Sequence, residues 1–144
     1  MNRLLVVEEN PELLLRMKVF LRDRYRVTCC ESIADAVVTL DRVEPHLILL
    51  GVTRRPAAAI DFLRVFREFP KYRAIPVLAM MECPGEDDIR AFLAAGFRGV
   101  ISRPASDPFP LYGAIDHFLS SGGRVGVRQP GPPGFGMTAT EVPA

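Results

Sequence analysis

Apolar positions along the chain fall in short blocks that alternate between two periods. Leu4-Leu5-Val6-Val7 and Leu47-Ile48-Leu49-Leu50 are unbroken runs of four, each bounded by polar or turn residues. Such runs read as strands buried on both faces, the pattern of a parallel sheet covered by helices. Arg26-Val27-Thr28-Cys29 reads as a strand between them, and Ile75–Met80 and Gly99–Ser102 as two more. Pro76 stands near the start of its run, where a missing donor is tolerated.

Between these runs the apolar period lengthens to that of a helix. Leu13, Leu14, Met17, Phe20 and Leu21 form one stripe, with Asn10 as N-cap and Pro11 at the first helical position. Ile33, Val37 and Leu40, with Ala36 beside them, form the next, with Ser32 as N-cap and Asp35 at the capping-box position. A third helix spans about 58–68 and carries Phe62, Leu63, Val65 and Phe66. The fourth runs from Glu86 to Ala95 with Gly96 as its left-handed terminator, and the fifth from about Phe109 to Leu119. Met81, Glu82 and Cys83 read as the loop leaving the fourth strand. Five strands alternating with five helices, joined by right-handed crossovers, predict an α/β three-layer sandwich around a parallel sheet.

Composition narrows the picture. The chain has 144 residues, 49% apolar and 24% charged, with a net charge of +1, so charge gives no case for nucleic acid or a membrane surface. No apolar run approaches the roughly 18 residues of a membrane span. Glu8 and Glu9 interrupt the first apolar block before a signal-peptide core forms, so a cytoplasmic location is expected. Cys29, Cys30 and Cys83 make neither a disulfide framework nor a zinc spacing. Cys29 and Cys30 point to opposite faces of a strand and read as small hydrophobes. Residues 121–144 are rich in Gly and Pro without a repeat, so a folded domain over 1–120 and a disordered tail over 121–144 are expected.

Candidate chemistry collects where parallel strands end, because ligands of open sheets bind there. Glu8, Glu9, Gly51, Met81, Glu82, Ser102 and Arg103 occupy those positions. Gly51 brings no side chain at all. His46 and His117 lack a paired base and nucleophile. No Gly-rich phosphate loop follows the first strand, where two acids stand instead. No catalytic residue, metal or cofactor is therefore assigned, and an enzyme is not expected.

The same blocks resemble the receiver domains of two-component response regulators over about Arg3 to Leu119. Val6-Val7-Glu8-Glu9-Asn10-Pro11 is similar to that family's acidic opening, and Pro45–Gly51 to the strand that delivers its phosphoacceptor aspartate. Ile75–Met81 is similar to the strand ending in its threonine or serine, and Gly96–Pro104 to the segment ending in its Lys-Pro pair. The resemblance implies a flavodoxin-like sheet of order 2-1-3-4-5. It also implies a degenerate site. The acceptor position falls on Gly51, the hydroxyl position on Met81, the lysine position on Arg103 and the aromatic switch position on Val100. Glycine cannot form an acyl phosphate and methionine cannot hydrogen-bond a phosphoryl oxygen, so the chain resembles a pseudoreceiver.

Several alternatives stay open at this point. Glu8 and Glu9 either hold a divalent cation with the Gly51 or Val52 carbonyl, or pair with Arg103, or are solvated. Met81 is either a plug over the old pocket or simple drift. Thr53 and Ser102 offer hydroxyls for a kinase, and Arg54-Arg55 either attract an anion or form a solvated pair.

The resemblance assigns partner binding and dimerisation to the face made by the fourth helix, fifth strand and fifth helix. That face would draw on Asp87, Arg90, Ala91, Ala94, Phe97, Arg98, Leu111, Tyr112 and Ile115. The opposing reading has Leu111 and Ile115 facing the sheet and Phe97 closing over the core. The expected function is a phosphorylation-independent interaction module that binds a signalling protein or a second copy of itself. The alternative is a switch driven by a small ligand or by Ser/Thr phosphorylation.

Overall fold

The computed structural model describes residues 1–52, 56–104, 107–120 and 137–138. Strands β1 (Arg3–Val7), β2 (Arg26–Cys30), β3 (Leu47–Gly51), β4 (Val77–Met81) and β5 (Gly99–Ser102) are parallel, in the order β2-β1-β3-β4-β5. Helices α1 (Pro11–Leu21), α2 (Ile33–Val43), α3 (Pro56–Phe66), α4 (Glu86–Ala95) and α5 (Phe109–Ser120) alternate with them. The alternating periods predict the parallel three-layer sandwich, and the strand order is the flavodoxin-like one that the resemblance implies. A two-residue strand β6 (Met137–Thr138) adds to the free edge of β5 in antiparallel sense, Val100 opposite Thr138 and Ile101 opposite Met137. The rest of the Gly/Pro-rich tail lies outside the described residues, and so does its expected disorder.

Local chemistry sets the helix ends. The Asn10 side chain accepts from the N–H groups of Glu12 and Leu13 at 3.0 and 3.2 Å. Ser32 Oγ accepts from Asp35 N at 3.1 Å. Helix α2 stops at Glu44, whose left-handed backbone (φ 48°) lets its N–H reach Leu40 O at 3.0 Å. Gly96 closes α4 in the same way at φ 112°, a conformation that strains any residue with a Cβ.

The sheet carries one apolar cluster on each face. Leu4, Val6, Leu49 and Met80 pack with α1 and α5, while Leu5, Val7, Ile48 and Leu50 pack with α2, α3 and α4. Alternation along each strand sends its side chains to both layers, so every position of these runs must be apolar. Cys29 packs with the first cluster and Cys30 with the second.

Three local expectations need correction. Val37 is exposed, because the sheet-facing line of α2 runs through Ala36 and Leu40, and Val37 lies a hundred-degree step away. Val65 is exposed for the same reason, with Leu63 and Phe66 facing inward. Met81 belongs to β4 rather than to its exit loop. A 3-10 turn at Pro70–Tyr72 follows α3, and Arg67 secures it, donating to the carbonyls of Tyr72, Arg73 and Ile75 and to that of Gly96.

A polar clasp ties the α1–β2 turn to α5. Asp116 accepts from Arg24 Nη2 at 2.7 Å and from the Tyr25 hydroxyl at 2.5 Å. Burial, with the bond to Asp116, pushes the Tyr25 phenol up to about 12. The unfolded chain loses that proton near pH 10, so the contribution is complete below about pH 10 and disappears as pH rises toward about 12. Urea midpoints of the wild type should therefore fall between about pH 9.5 and 11.5 more steeply than those of Tyr25→Phe. Equal slopes would remove the clasp from the list of stabilising contacts.

Candidate functional site

The carboxyl ends of β1, β3, β4 and β5 meet along one side of the sheet. Glu8 directly follows β1, and its N–H donates to Cys30 O at 3.0 Å, which carries the chain straight on from the strand. Its side chain turns inward. At 1% exposure Glu8 is the only buried charged residue among those described. One carboxylate oxygen, Oε2, accepts from Asn10 N at 2.9 Å, and the other, Oε1, from Arg103 Nη2 at 3.2 Å. Arg103 follows β5, fixed there by its own N–H on Met81 O at 3.2 Å, and also reaches Val52 O at 3.5 Å.

Gly51 explains where that carboxylate fits. A Cβ at position 51 would lie 2.2 Å from Glu8 Oε1 and 2.8 Å from Glu8 Cδ, closer than real atoms approach. The space from which an acceptor side chain would start is the space that Glu8 fills. A buried carboxylate without partners is costly, by several kcal/mol even after relaxation. Here one N–H and one guanidinium satisfy it, and the 19% exposed Arg103 connects the pair to solvent.

The donors do not suit the magnesium ion that the resembled family uses. Gly51 offers no carboxylate, Glu8 is committed to Asn10 and Arg103, and Glu9 is exposed. Octahedral magnesium needs at least one or two free carboxylates with room for waters. At this end of β1 a cation already stands, and it is Arg103.

The remaining positions follow the strands. Met81 is half-buried at the end of β4, beside Ser102 in the ladder, and packs on the α2–α4 layer. Val100 is fully buried. An open cleft of about 410 Å³ lies next to the ion pair, between the loops after β1, β4 and β5. Arg16, Glu82, Cys83, Ser102 and Arg103 line it, so it has mixed charge. Thr53, Arg54 and Arg55 lie outside the described residues. His46 sits at the opposite end of the sheet, where its Nδ1 accepts from Arg3 N at 2.8 Å. His117 lies on α5, away from the acid pair.

The proposed partner face is only partly a surface. Asp87, Arg90, Ala91 and Ala94 are exposed along α4, and Arg98 is half-buried at its foot. Phe97, Leu111 and Ile115 are not available to a partner. Phe97 is buried edge-to-face against Phe92 at 5.2 Å, and Leu111 and Ile115 lie one helical turn apart on the sheet-facing side of α5. Tyr112 faces α1 instead of α4: its hydroxyl donates to Phe20 O at 2.5 Å and its ring lies 4.5 Å from the Arg24 guanidinium. Sequence reasoning also missed Asn10 N–H as the second donor to Glu8. Its signal was present as an acid two residues before a helix cap.

No family model matches the chain. It is 26% identical over 116 residues to an uncharacterized 14.6 kDa protein from the sodA1 3′ region of Leptolyngbya boryana, covering 80% of this chain and 88% of that one. Among solved structures it is similar to the signal receiver domain of a signal transduction histidine kinase from Syntrophus aciditrophicus. The TM-score is 0.72 at 23% identity, over 84% of this chain and 92% of that one. It is also similar to the chemotaxis protein CheY4 of Vibrio cholerae, with a TM-score of 0.74 at 18% identity, over 81% and 98%. The fold is that of response regulator receiver domains.

Removing Arg103 leaves Glu8 buried beside a single donor. Arg103→Ala should cost about 3 kcal/mol, the low end for breaking a buried pair, because Arg103 still touches solvent. The double change Glu8→Gln with Arg103→Met should recover most of that loss, as read by urea denaturation of the full cycle. Additive losses in the double variant would show that the two side chains do not act as a pair.

Proposed function

We propose that this chain is an atypical receiver domain in signal transduction, one that is not phosphorylated on aspartate and works as a protein-binding module rather than an enzyme. The observation that carries the reading is the Glu8 carboxylate in the space at Gly51, held by Arg103. Aspartyl phosphorylation needs a nucleophile, a metal and charge stabilisation together. Here the nucleophile is missing, the metal's donors are committed and the stabilising cation is bound to Glu8. The site therefore supports one state, and the exposed surfaces carry the activity.

A signalling protein would bind the outer face of α4, where Asp87, Arg90, Ala91 and Ala94 are exposed beside Arg98. Small residues between charged ones permit close approach with an Arg anchor. A second copy on this side would meet β6 on the β5 edge and so dock over α4 alone. A switch driven by a small ligand is favoured by one feature, the mixed-charge cleft beside Arg103, whose Nε has no partner among the described residues. A thermal shift with nucleotides or second messengers, lost in Arg103→Ala, would promote that reading.

Two measurements test the main proposal. Acetyl phosphate with magnesium should leave the intact mass unchanged, and Gly51→Asp alone should also stay unmodified, because its carboxylate competes with Glu8 for one space. A stoichiometric phosphoryl gain in the wild type would overturn the reading. A partner captured by the full chain should bind equally with and without phosphodonor, and Arg90→Glu with Ala94→Glu should weaken it at least about tenfold without shifting the melting temperature by more than a degree or so.

A further inference from the structure

The free edge of β5 is taken by the chain itself. Arg98 N–H donates to Val77 O, so by alternation the peptide groups of Arg98 and Val100 serve β4, and those of Gly99 and Ile101 point outward. Strand β6 meets this edge with Met137 opposite Ile101. Opposed residues whose groups point at each other exchange two hydrogen bonds, N–H to C=O in both directions. The described part of β6 ends at Thr138, opposite Val100, so it matches two of the four residues of β5.

Such a cover is weak. Two backbone hydrogen bonds contribute little once the competition of water is counted. Two buried polar atoms beside the edge also find no partner among the described residues, Arg98 Nη1 and His117 Nε2. Arg98 directly precedes β5. On α5, Leu111 and Ile115 face the sheet while Tyr112 and Asp116 face α1, which leaves His117 on the flank toward β5, where α5 touches β6. The tether does more than the bonds. Residues 121–136 join the end of α5 to Met137, and a tethered strand meets its edge at an effective concentration of about a millimolar.

We propose that β6 is an intrasteric strand: the tail occupies the β5 edge in cis and must be displaced before an extended segment of another protein can add there. The edge adjoins the α4 face through Arg98, so the tail sets access to the surface on which a partner would dock. A competing segment then binds with a dissociation constant raised by the reciprocal of the fraction of chains whose edge is open. This rests on the reading of the chain as a binding module. Intact mass after acetyl phosphate tests that reading without involving the tail, so the two fail separately.

The test uses the full chain, with a fluorescent peptide of residues 134–144 as the incoming strand. Met137→Pro removes the N–H that Ile101 O accepts and so releases the tail. Amide exchange at Ile101 should then quicken at least about tenfold, with Val100 unchanged because its N–H serves β4, and with the circular dichroism of the fold intact. The peptide should bind Met137→Pro at least about tenfold more tightly than it binds the wild type, because no cis strand competes. Exchange at Ile101 that is indifferent to Met137→Pro overturns the pairing. A peptide that binds both chains equally, or neither, overturns the displacement.

Discussion

The arrangement at the carboxyl ends of the strands depends on one buried ion pair. Glu8 cannot face solvent while its N–H is fixed on Cys30 O and its chain continues the line of β1. It turns inward, and an inward carboxylate requires both a donor and a vacancy. Arg103 and Asn10 provide the donors, and Gly51 provides the vacancy. The three residues come from three strand ends, so the pair also ties β5 to β1 across β3 and β4. A side chain at 51 would not simply add chemistry. It would displace a buried charge from its partners.

This coupling bears on what a glycine at position 51 means. A site with Gly51 and a free, solvated acid would be a receiver with one part missing, and one substitution would repair it. The observed site is closed on itself. Glu8 is longer than an aspartate by one methylene, and that extra reach brings its carboxylate to within 2.2 Å of where a Cβ at 51 would begin. The acid and the glycine are complementary, as are the acid and the arginine. Arg103 serves Oε1 and the Val52 carbonyl from one nitrogen, Nη2. The local physics favours one fixed arrangement of Glu8, Gly51 and Arg103.

The sheet was legible because buried parallel strands need apolar residues on both faces, and Leu47–Leu50 and Leu4–Val7 have nothing else. Helix ends were legible where a side chain or a left-handed residue does the capping, as at Asn10, Ser32 and Gly96. The rotation of helices was less so. Ala36 outcompetes Val37 for the sheet-facing line because hydrophobicity says less than position along the turn, and a small residue lets α2 approach β1. Position 51 was legible as a strand end without a side chain, but not as the space occupied by Glu8. A glycine in sequence shows that no side chain is present, not which neighbour enters. Phe97, Leu111 and Tyr112 show the same limit on a surface. Their placement depends on which layer each helix faces, and that follows from packing rather than from residue type.

The two edges of the sheet are treated differently among the described residues. The open side of β5 receives β6 from the chain's own tail, so the row of groups at Val100 and Ile101 has a cover. β2 has no such segment nearby, since the chain on either side of it is committed to α1 and α2. An open parallel sheet leaves two edges, and β6 covers one of them here. The other must be blunted or shared. In the reading proposed above, binding surfaces are this chain's means of acting on other molecules. The β2 edge, between walls whose charged side chains form no ion pair among the described residues, is built from backbone groups outside the Glu8–Arg103 pair.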